Sequence, residues 1–178
     1  MTTAASRIGL CGLLAVTLAL AGCGGGPAGM GQRGGLEAGQ PMPEIVAEAW
    51  INGEPPVASE RAGKVTVVVA WAFWCGPCAA EAPHLVKTWK KYKDQDVQFI
   101  GLTVQDSATR DRSEAFLKRA GIEWPNAIGA GPTLEALKCE AIPAVWVVDR
   151  SGKIVWNFDS DGDLEPAIDR ALAEKPAA

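Results

Sequence analysis

The feature that most constrains the fold is a long apolar run that leads directly into a helix-like stretch carrying two cysteines. The run KVTVVVAW, residues 64–71, is nearly unbroken and rich in β-branched side chains, which is typical of a strand buried on both faces of a sheet. The segment WAFWCGPCAAEAP, residues 71–83, follows it without a linker. Beyond this segment, apolar side chains recur at helical spacing with lysines between them, at Leu85, Trp89 and Tyr92. The pattern predicts a buried strand and then a helix that begins near Cys75.

The rest of the chain continues this alternation of strands and helices. Predicted strands lie at residues 97–104, 141–149 and 153–158, and predicted helices lie at residues 109–121, 132–140 and 163–175. At residues 45–58, two short apolar runs flank Asn52-Gly53, a dipeptide that strongly favours a tight hairpin turn. The order predicts a three-layer α/β domain with a mixed central sheet, an N-terminal β-hairpin and an α/β insertion.

The N-terminus has the features of an export signal. MTTAASR carries one positive charge and no acid, and the apolar stretch from Ile8 to Leu20 is shorter than the roughly 17 to 25 residues that span a bilayer as a helix. The next residues, LAGC, resemble a bacterial lipobox, in which the signal is cut before the cysteine and that cysteine is acylated. We therefore expect residues 1–22 to be removed and Cys23 to carry the lipid. An ordinary signal cut nearby and an uncleaved apolar anchor remain open.

The chain from Cys23 onward divides into a linker and one domain. Residues 23–42 are rich in glycine and show no apolar periodicity, which predicts a flexible tether. Residues 43–175 have the length of a single domain. The net charge of −4 and the lack of a basic patch argue against nucleic acid as a partner. We expect the lipid to hold this domain on the extracytoplasmic, periplasmic side of a cell-envelope membrane.

Cysteine spacing restricts what the pair Cys75 and Cys78 can do. Only Cys139 accompanies this pair in the domain, so the chain is not a scaffold built on many disulfides. A fixed disulfide would close a very small loop and stabilise the fold little. Structural zinc needs four ligands, usually in two pairs, whereas the chain has a single histidine, His84, which we expect to face solvent. We favour a disulfide that is made and broken in turn, and we expect no metal.

The predicted helix start gives the two cysteines different roles. Cys75 would face the free N–H groups and the positive end of the helix, which lower the pKa of a thiol and favour the thiolate. Cys78 lies one turn further along the same side, within reach of a disulfide. Pro77 suits the first turn, where its missing N–H costs nothing. Cys75 is therefore the expected nucleophile and Cys78 the resolving thiol, and this redox-active disulfide would serve in place of a cofactor.

Three motifs in fixed order make a family resemblance specific. They are NGEPPVASERAGKVTVVVAWAFWCGPCAAEAP, GLTVQD and IPAVWVVDRSGKIV. With these motifs, residues 43–175 resemble thioredoxin-fold proteins, and among them most closely the membrane-anchored, extracytoplasmic thiol-disulfide oxidoreductases of the TlpA/ResA type. The resemblance implies a thioredoxin fold and an enzyme that exchanges disulfides.

The resemblance also implies a role for an acid beyond the cysteine pair. Glu81 and Pro83 match the pattern C-x-x-C-x-x-E-x-P, in which the carboxyl group would accept or deliver the proton of the Cys78 thiol. Val69 stands where many thioredoxins carry a buried aspartate, so that proton carrier is missing. The alternative for Glu81 is an ordinary acid in the first helical turn, favourable to the helix dipole.

A loop far along the chain matches the substrate-binding loop of the family. Ile142-Pro143 corresponds to the family's cis-proline, which implies a cis peptide bond and a backbone that receives an extended substrate segment. Ala144 replaces a threonine common after that proline. The resemblance implies substrate contacts at Trp74, Gly76, Pro77, Ile142 and Pro143.

Two further features have plain interpretations. Cys139, four residues before Pro143, is interpreted as a small buried apolar residue, with a third redox thiol as the alternative. The segment DSDGD, residues 159–163, resembles a calcium loop only in composition, and we interpret it as a turn and cap for the last helix.

The function that these observations favour is a tethered thiol-disulfide oxidoreductase. We expect it to reduce disulfides in exported proteins, with cytochrome c maturation as a candidate process, because Gly-Pro between the cysteines is typical of reducing thioredoxins. Electrons would come from a membrane thiol donor. A redoxin-type peroxidase and a non-catalytic lipoprotein interaction module are the alternatives.

Overall fold

A six-stranded mixed sheet forms the middle of the protein in the computed structural model, which describes Met1, residues 35–53, Arg61 and residues 63–174. The strands are β1 (Ala49–Ile51), β2 (Val65–Ala70), β3 (Val97–Leu102), β4 (Asn126–Ile128), β5 (Ala144–Val148) and β6 (Ile154–Asn157), in the spatial order β1-β4-β3-β2-β5-β6. Strand β2 pairs with β3 in parallel and with β5 in antiparallel orientation. The mixed sheet that the sequence predicts is confirmed.

Helices cover both faces of the sheet. They are α1 (Gly76–Tyr92), α2 (Arg110–Ala120), α3 (Gly131–Ala136) and α4 (Leu164–Ala173). Alternate residues of β2 divide the core, since Val67 and Val69 pack with α1, α2 and α4, whereas Val68 packs with α3 on the other face. Two helical layers therefore enclose the sheet, which confirms the three-layer α/β prediction. Among the described residues, no helix combines the length and the apolar character needed to cross a membrane.

The predicted tether is wrong at its C-terminal end. Residues 35–42 are ordered on the domain, where Leu36 is buried in the core and its N–H donates to the carbonyl oxygen of Leu137 at 2.8 Å. The chain then runs along β6, and Gly39 N donates to Ile154 O while Ile154 N donates to Gln40 O, both at 2.8 Å. These bonds cover an edge that would otherwise expose unpaired backbone groups. The domain thus begins before residue 43, and the predicted signal after Met1 and the tether up to residue 34 lie outside the described residues.

The predicted N-terminal hairpin can be followed only in part. Asn52 and Gly53 both have positive φ, 63° and 127°, as a tight turn with this dipeptide requires. Strand β1 precedes this turn and pairs with β4, a three-residue strand that the sequence pattern did not predict. The second arm of the hairpin falls on residues 54–60, outside the described residues, and stays a prediction.

The buried N-terminal segment makes a stability prediction. Replacing Leu36 by Ala removes a core side chain that is 9% exposed, so we expect the free energy of unfolding to fall by about 2 kcal/mol. The matched control is Glu37→Ala next to it, an exposed position where the change should stay below about 0.5 kcal/mol. Guanidinium unfolding curves measure both, and equal midpoints for the two variants would contradict the packing of this segment.

Candidate active site

The candidate site lies where β2 ends and α1 begins. Ala70, the last residue of β2, pairs with Leu102 on one side and with Ala144 on the other. Trp71 follows, and its indole ring stacks on Phe116 of α2 with ring centroids 4.9 Å apart. A side chain at Gly101 would overlap the Asn126 amide and come within 2.8 Å of the Trp71 indole nitrogen. Because Gly101 of β3 has no side chain, the Trp71 indole has room beside this strand, next to the turn into α1.

The two cysteines form a disulfide at the first turn of α1. Cys75 is the N-cap residue, and its Sγ accepts a hydrogen bond from the backbone N–H of Cys78 at 3.1 Å. The Cα atoms are 5.2 Å apart, and Cys75 and Cys78 are only 5% and 4% exposed. Gly76 and Pro77 are exposed between them, and Pro77 occupies the first turn, where no N–H is needed. The Cys75 sulfur therefore accepts one of the free N–H groups of a helix start, at the position that the sequence predicts.

The cis-proline loop faces the disulfide. The Ile142-Pro143 peptide bond is cis, as the family resemblance implies. The carbonyl oxygen of Ile142 lies 3.8 Å from Cys75 Sγ. Ile142 is half-buried, and Pro143 and Ala144 are buried. The structure thus brings this loop, 67 residues away in sequence, to the first cysteine.

An exposed aromatic side chain lies beside the pair. Trp74, directly before Cys75, is 64% exposed, which is unusual for so large an apolar side chain. Its neighbour Phe73 is half-buried and carries the guanidinium of Arg112 over its ring, 5.8 Å from the centroid. Trp74 thus presents an apolar surface at the edge of the site, where the resemblance implies a substrate contact.

The second cysteine is surrounded by apolar side chains. A void of about 10 Å³ lies beside Cys78, with Val69, Trp71, Ala82 and Pro143 among its walls. Val69, which replaces the aspartate of many thioredoxins, is 3% exposed. No carboxyl group is therefore found among the residues lining this void.

Glu81 lies one helical turn beyond Cys78 and contacts a histidine. Its Oε1 is 2.8 Å from Nδ1 of His84, and the two side chains are 29% and 51% exposed. The histidine faces solvent as predicted, but sequence reasoning missed its partnership with Glu81. The three-residue spacing on one helix face is the signal that predicts such a contact.

Cys139 is a free, half-buried thiol. Its Sγ lies 3.5 Å from the carbonyl oxygen of Ala141, at the entrance to the cis-proline loop. Burial raises the pKa of this thiol to about 11, so it is protonated at neutral pH. The thiol is therefore neutral, as expected of a small apolar residue, but it is less buried than the sequence predicts. Within the described parts of the chain, no three His, Cys, Asp or Glu side chains form a group that could hold a metal ion.

Comparisons with known proteins identify relatives of this chain. A family model described as Redoxin matches residues 37–172. Protein FixW of Rhizobium leguminosarum is 31% identical over 137 residues, which cover 70% of this chain and 61% of FixW. The thiol-disulfide oxidoreductase ResA of Bacillus subtilis is 26% identical over 121 residues, 67% of this chain and 66% of ResA. The chain therefore spans slightly less than two thirds of each of these relatives.

Solved structures agree on the fold. The thioredoxin domain of a thiol-disulfide oxidoreductase from Bacteroides vulgatus superposes with a TM-score of 0.66 at 22% identity, covering 77% of this chain and 99% of that domain. A thiol-disulfide isomerase from Corynebacterium glutamicum gives a TM-score of 0.65 at 24% identity, with 77% and 99% coverage. With the family model matched over residues 37–172, the chain belongs to the redoxin family and has the thioredoxin fold.

Proposed function

We propose that the protein is a thiol-disulfide oxidoreductase that works through Cys75 and Cys78 and needs no further cofactor. The observation that carries this proposal is the disulfide at the start of α1, with the Ile142 carbonyl oxygen 3.8 Å from its first sulfur. A helix N-terminus stabilises a thiolate there. The similarity to ResA, whose name describes the same activity, supports the proposal.

The reaction proceeds in two exchange steps. In the dithiol form, the Cys75 thiolate attacks one sulfur of a substrate disulfide, forms a mixed disulfide and releases the other substrate sulfur as a thiolate. The Cys78 thiolate then attacks the Cys75 sulfur, closes the disulfide seen here and releases the second substrate thiol. Two electrons pass to the substrate. The first substrate thiolate takes a proton from solvent, which received the Cys75 proton when its thiolate formed, and the proton lost by Cys78 balances the proton taken up by the second substrate thiol.

The second step needs a base for the Cys78 proton. Apolar neighbours of Cys78 disfavour its thiolate, and Val69 offers no carboxyl group. Glu81 is the nearest acid along the helix, one turn away, and its position at the solvent edge allows exchange of the proton with water. We propose Glu81 as the group that carries this proton.

We further propose that the enzyme works outside the cytoplasm as a lipid-anchored reductase. The short apolar stretch followed by LAGC supports lipidation at Cys23. The Gly-Pro dipeptide between the cysteines supports the reducing direction. The substrates would be disulfides of exported proteins, apocytochrome c among them, and a membrane thiol protein would resupply electrons. The residues at the site that would contact the substrate are Trp74, Gly76, Pro77, Ile142 and Pro143.

Serine variants separate the two cysteines. Cys75→Ser should abolish disulfide reduction, whereas Cys78→Ser should still attack and should accumulate a mixed disulfide with the substrate, because the resolving thiol is absent. Mass spectrometry under non-reducing conditions measures the trapped complex, and Cys139→Ser is the matched control that should keep full activity. Trapping by Cys75→Ser in place of Cys78→Ser would reverse the assignment. Consumption of hydrogen peroxide without disulfide reduction would favour the peroxidase alternative.

The redox potential of the Cys75–Cys78 pair indicates the direction of electron flow. Titration of the protein against a thiol-disulfide buffer, followed by the fluorescence of Trp74 beside the pair, should give a potential below about −230 mV for a reductase. A potential above about −150 mV would identify an oxidant or isomerase instead.

The raised pKa of Cys139 makes a pH prediction. With a pKa of about 11, only about one thiol in a thousand is ionised at pH 8, so alkylation should be slow there and should rise about tenfold per pH unit up to pH 10. The measurement follows the peptide that contains Cys139 in the oxidised protein by mass spectrometry, because Cys11 and Cys23 can also react. Rapid alkylation at pH 7 would identify Cys139 as a third reactive thiol.

A further inference from the structure

A groove lies between α1 and the start of α4, and its first residue on α1, Glu81, is one helical turn beyond Cys78. Its volume is about 280 Å³. The walls are apolar and partly aromatic, and the rim is polar. The wall residues are Leu85, Val145, Trp156, Phe158 and Leu164, and the polar residues are Glu81, His84 and Asp163. The rings of Trp156 and Phe158 are 6.2 Å apart and tilted by 37°.

The rim of this groove is acidic. Asp163 of the DSDGD segment is exposed and lines the groove together with Gly162, and the exposed Asp161 lies two residues before it in sequence. Glu81 completes the rim on the α1 side. The nearby cations offset this charge only in part, because Lys91 contacts Glu165 at 2.6 Å and Lys87 also acts on Glu165. His84 contacts Glu81. An apolar wall with a carboxylate rim suits a side chain that has an apolar stem and a positive end.

The groove lies within reach of an extended substrate at the disulfide. Val145 in its wall follows Ile142 by three residues, and the Ile142 carbonyl oxygen is 3.8 Å from Cys75 Sγ. A strand rises about 3.3 Å per residue, so Val145 lies within roughly 10 Å of Ile142 along the chain. A substrate segment that extends along the Ile142 backbone would therefore bring one of its side chains to the groove. That side chain would lie two to four residues from the substrate cysteine.

We propose that this groove binds an arginine or lysine side chain that flanks the target cysteine of a polypeptide substrate. The stem of that side chain packs against the Trp156 and Phe158 wall, and its charged end meets Glu81 and Asp163. The inference rests on the proposed oxidoreductase function and adds a preference among its substrates. It also gives the DSDGD segment a role that the exchange chemistry leaves open.

The test compares two disulfide peptides that differ in one charge. Both carry the same intramolecular disulfide, and a position three residues from one cysteine holds arginine in one peptide and its neutral isostere citrulline in the other. Wild-type protein, kept reduced by dithiothreitol, should show kcat/KM about fivefold higher for the arginine peptide at low salt, as expected for one cation near the half-buried Glu81 carboxylate and the exposed Asp163 carboxylate. In 1 M salt, where the screening length is about 3 Å, the ratio should fall below about twofold. A second pair of peptides carries arginine or citrulline on the other side of the disulfide. This pair tests the opposite direction of substrate binding.

Variants locate the preference on the rim. Asp163→Asn should lower the arginine-to-citrulline ratio to about twofold or less. Folding is expected to be retained, because the Asp163 side chain makes no cap hydrogen bond and asparagine is an equally good N-cap residue. Asp94→Asn is the matched control, since it removes the same charge just past the far end of α1, about 25 Å along the helix from the cysteines. It should leave the ratio unchanged.

The outcomes distinguish failure of the groove proposal from failure of the proposed oxidoreductase function. Equal kcat/KM for the two wild-type peptides, or an arginine preference that Asp163→Asn and Asp94→Asn reduce alike, would overturn the groove as a recognition site and leave the oxidoreductase function intact. Failure of wild-type protein to reduce either peptide would contradict the proposed function itself. A preference that salt and Asp163→Asn both remove supports the inference.

Discussion

The hydrogen bonds on both edges of β2 hold the candidate site together. Because its last residue, Ala70, pairs with β3 on one side and with Ala144 of β5 on the other, the turn into α1 and the cis-proline loop end at the same level of the sheet. All six residues of β2 are buried, and a shift of one residue would move its core side chains to the opposite face. The short separation between Cys75 and Ile142 is therefore fixed by a register that the whole core enforces.

The same burial determines how protons reach the pair. Cys78 faces Val69 and Trp71 in an apolar interior, where a thiolate lacks a stabilising partner. Val69 stands where many thioredoxins carry a buried aspartate, so this position offers no carboxyl group to take the proton. In the proposed mechanism the proton instead passes along the surface of α1 through Glu81, whose carboxylate contacts His84. The redox pair then exchanges protons with solvent on the side of α1 that faces α4.

Sequence patterns predicted the parts of this site that depend on local chemistry. The unbroken apolar run predicted β2, the Cys-Gly-Pro-Cys spacing predicted the disulfide at a helix start, and the family motif predicted the cis bond before Pro143. Strand β4 was missed because a three-residue strand is too short to show alternation. Residues 35–42 were assigned to a tether because they continue a glycine-rich segment without apolar periodicity, and the single buried Leu36 carries no periodic signal. The groove was missed because its walls come from α1, β5, β6 and α4, which only the fold brings together.

The surroundings of the disulfide offer a substrate two kinds of contact. Trp74, directly before Cys75, presents an exposed apolar surface without a charge of its own. Towards α4 the site presents Glu81 and the acidic rim of the groove. In the proposed binding mode, a polypeptide that follows the Ile142 backbone meets these two contacts with different residues. For a given substrate sequence, only one chain direction places a basic residue at the acidic rim. The difference between the two contacts can therefore select both the substrate and its orientation on the disulfide.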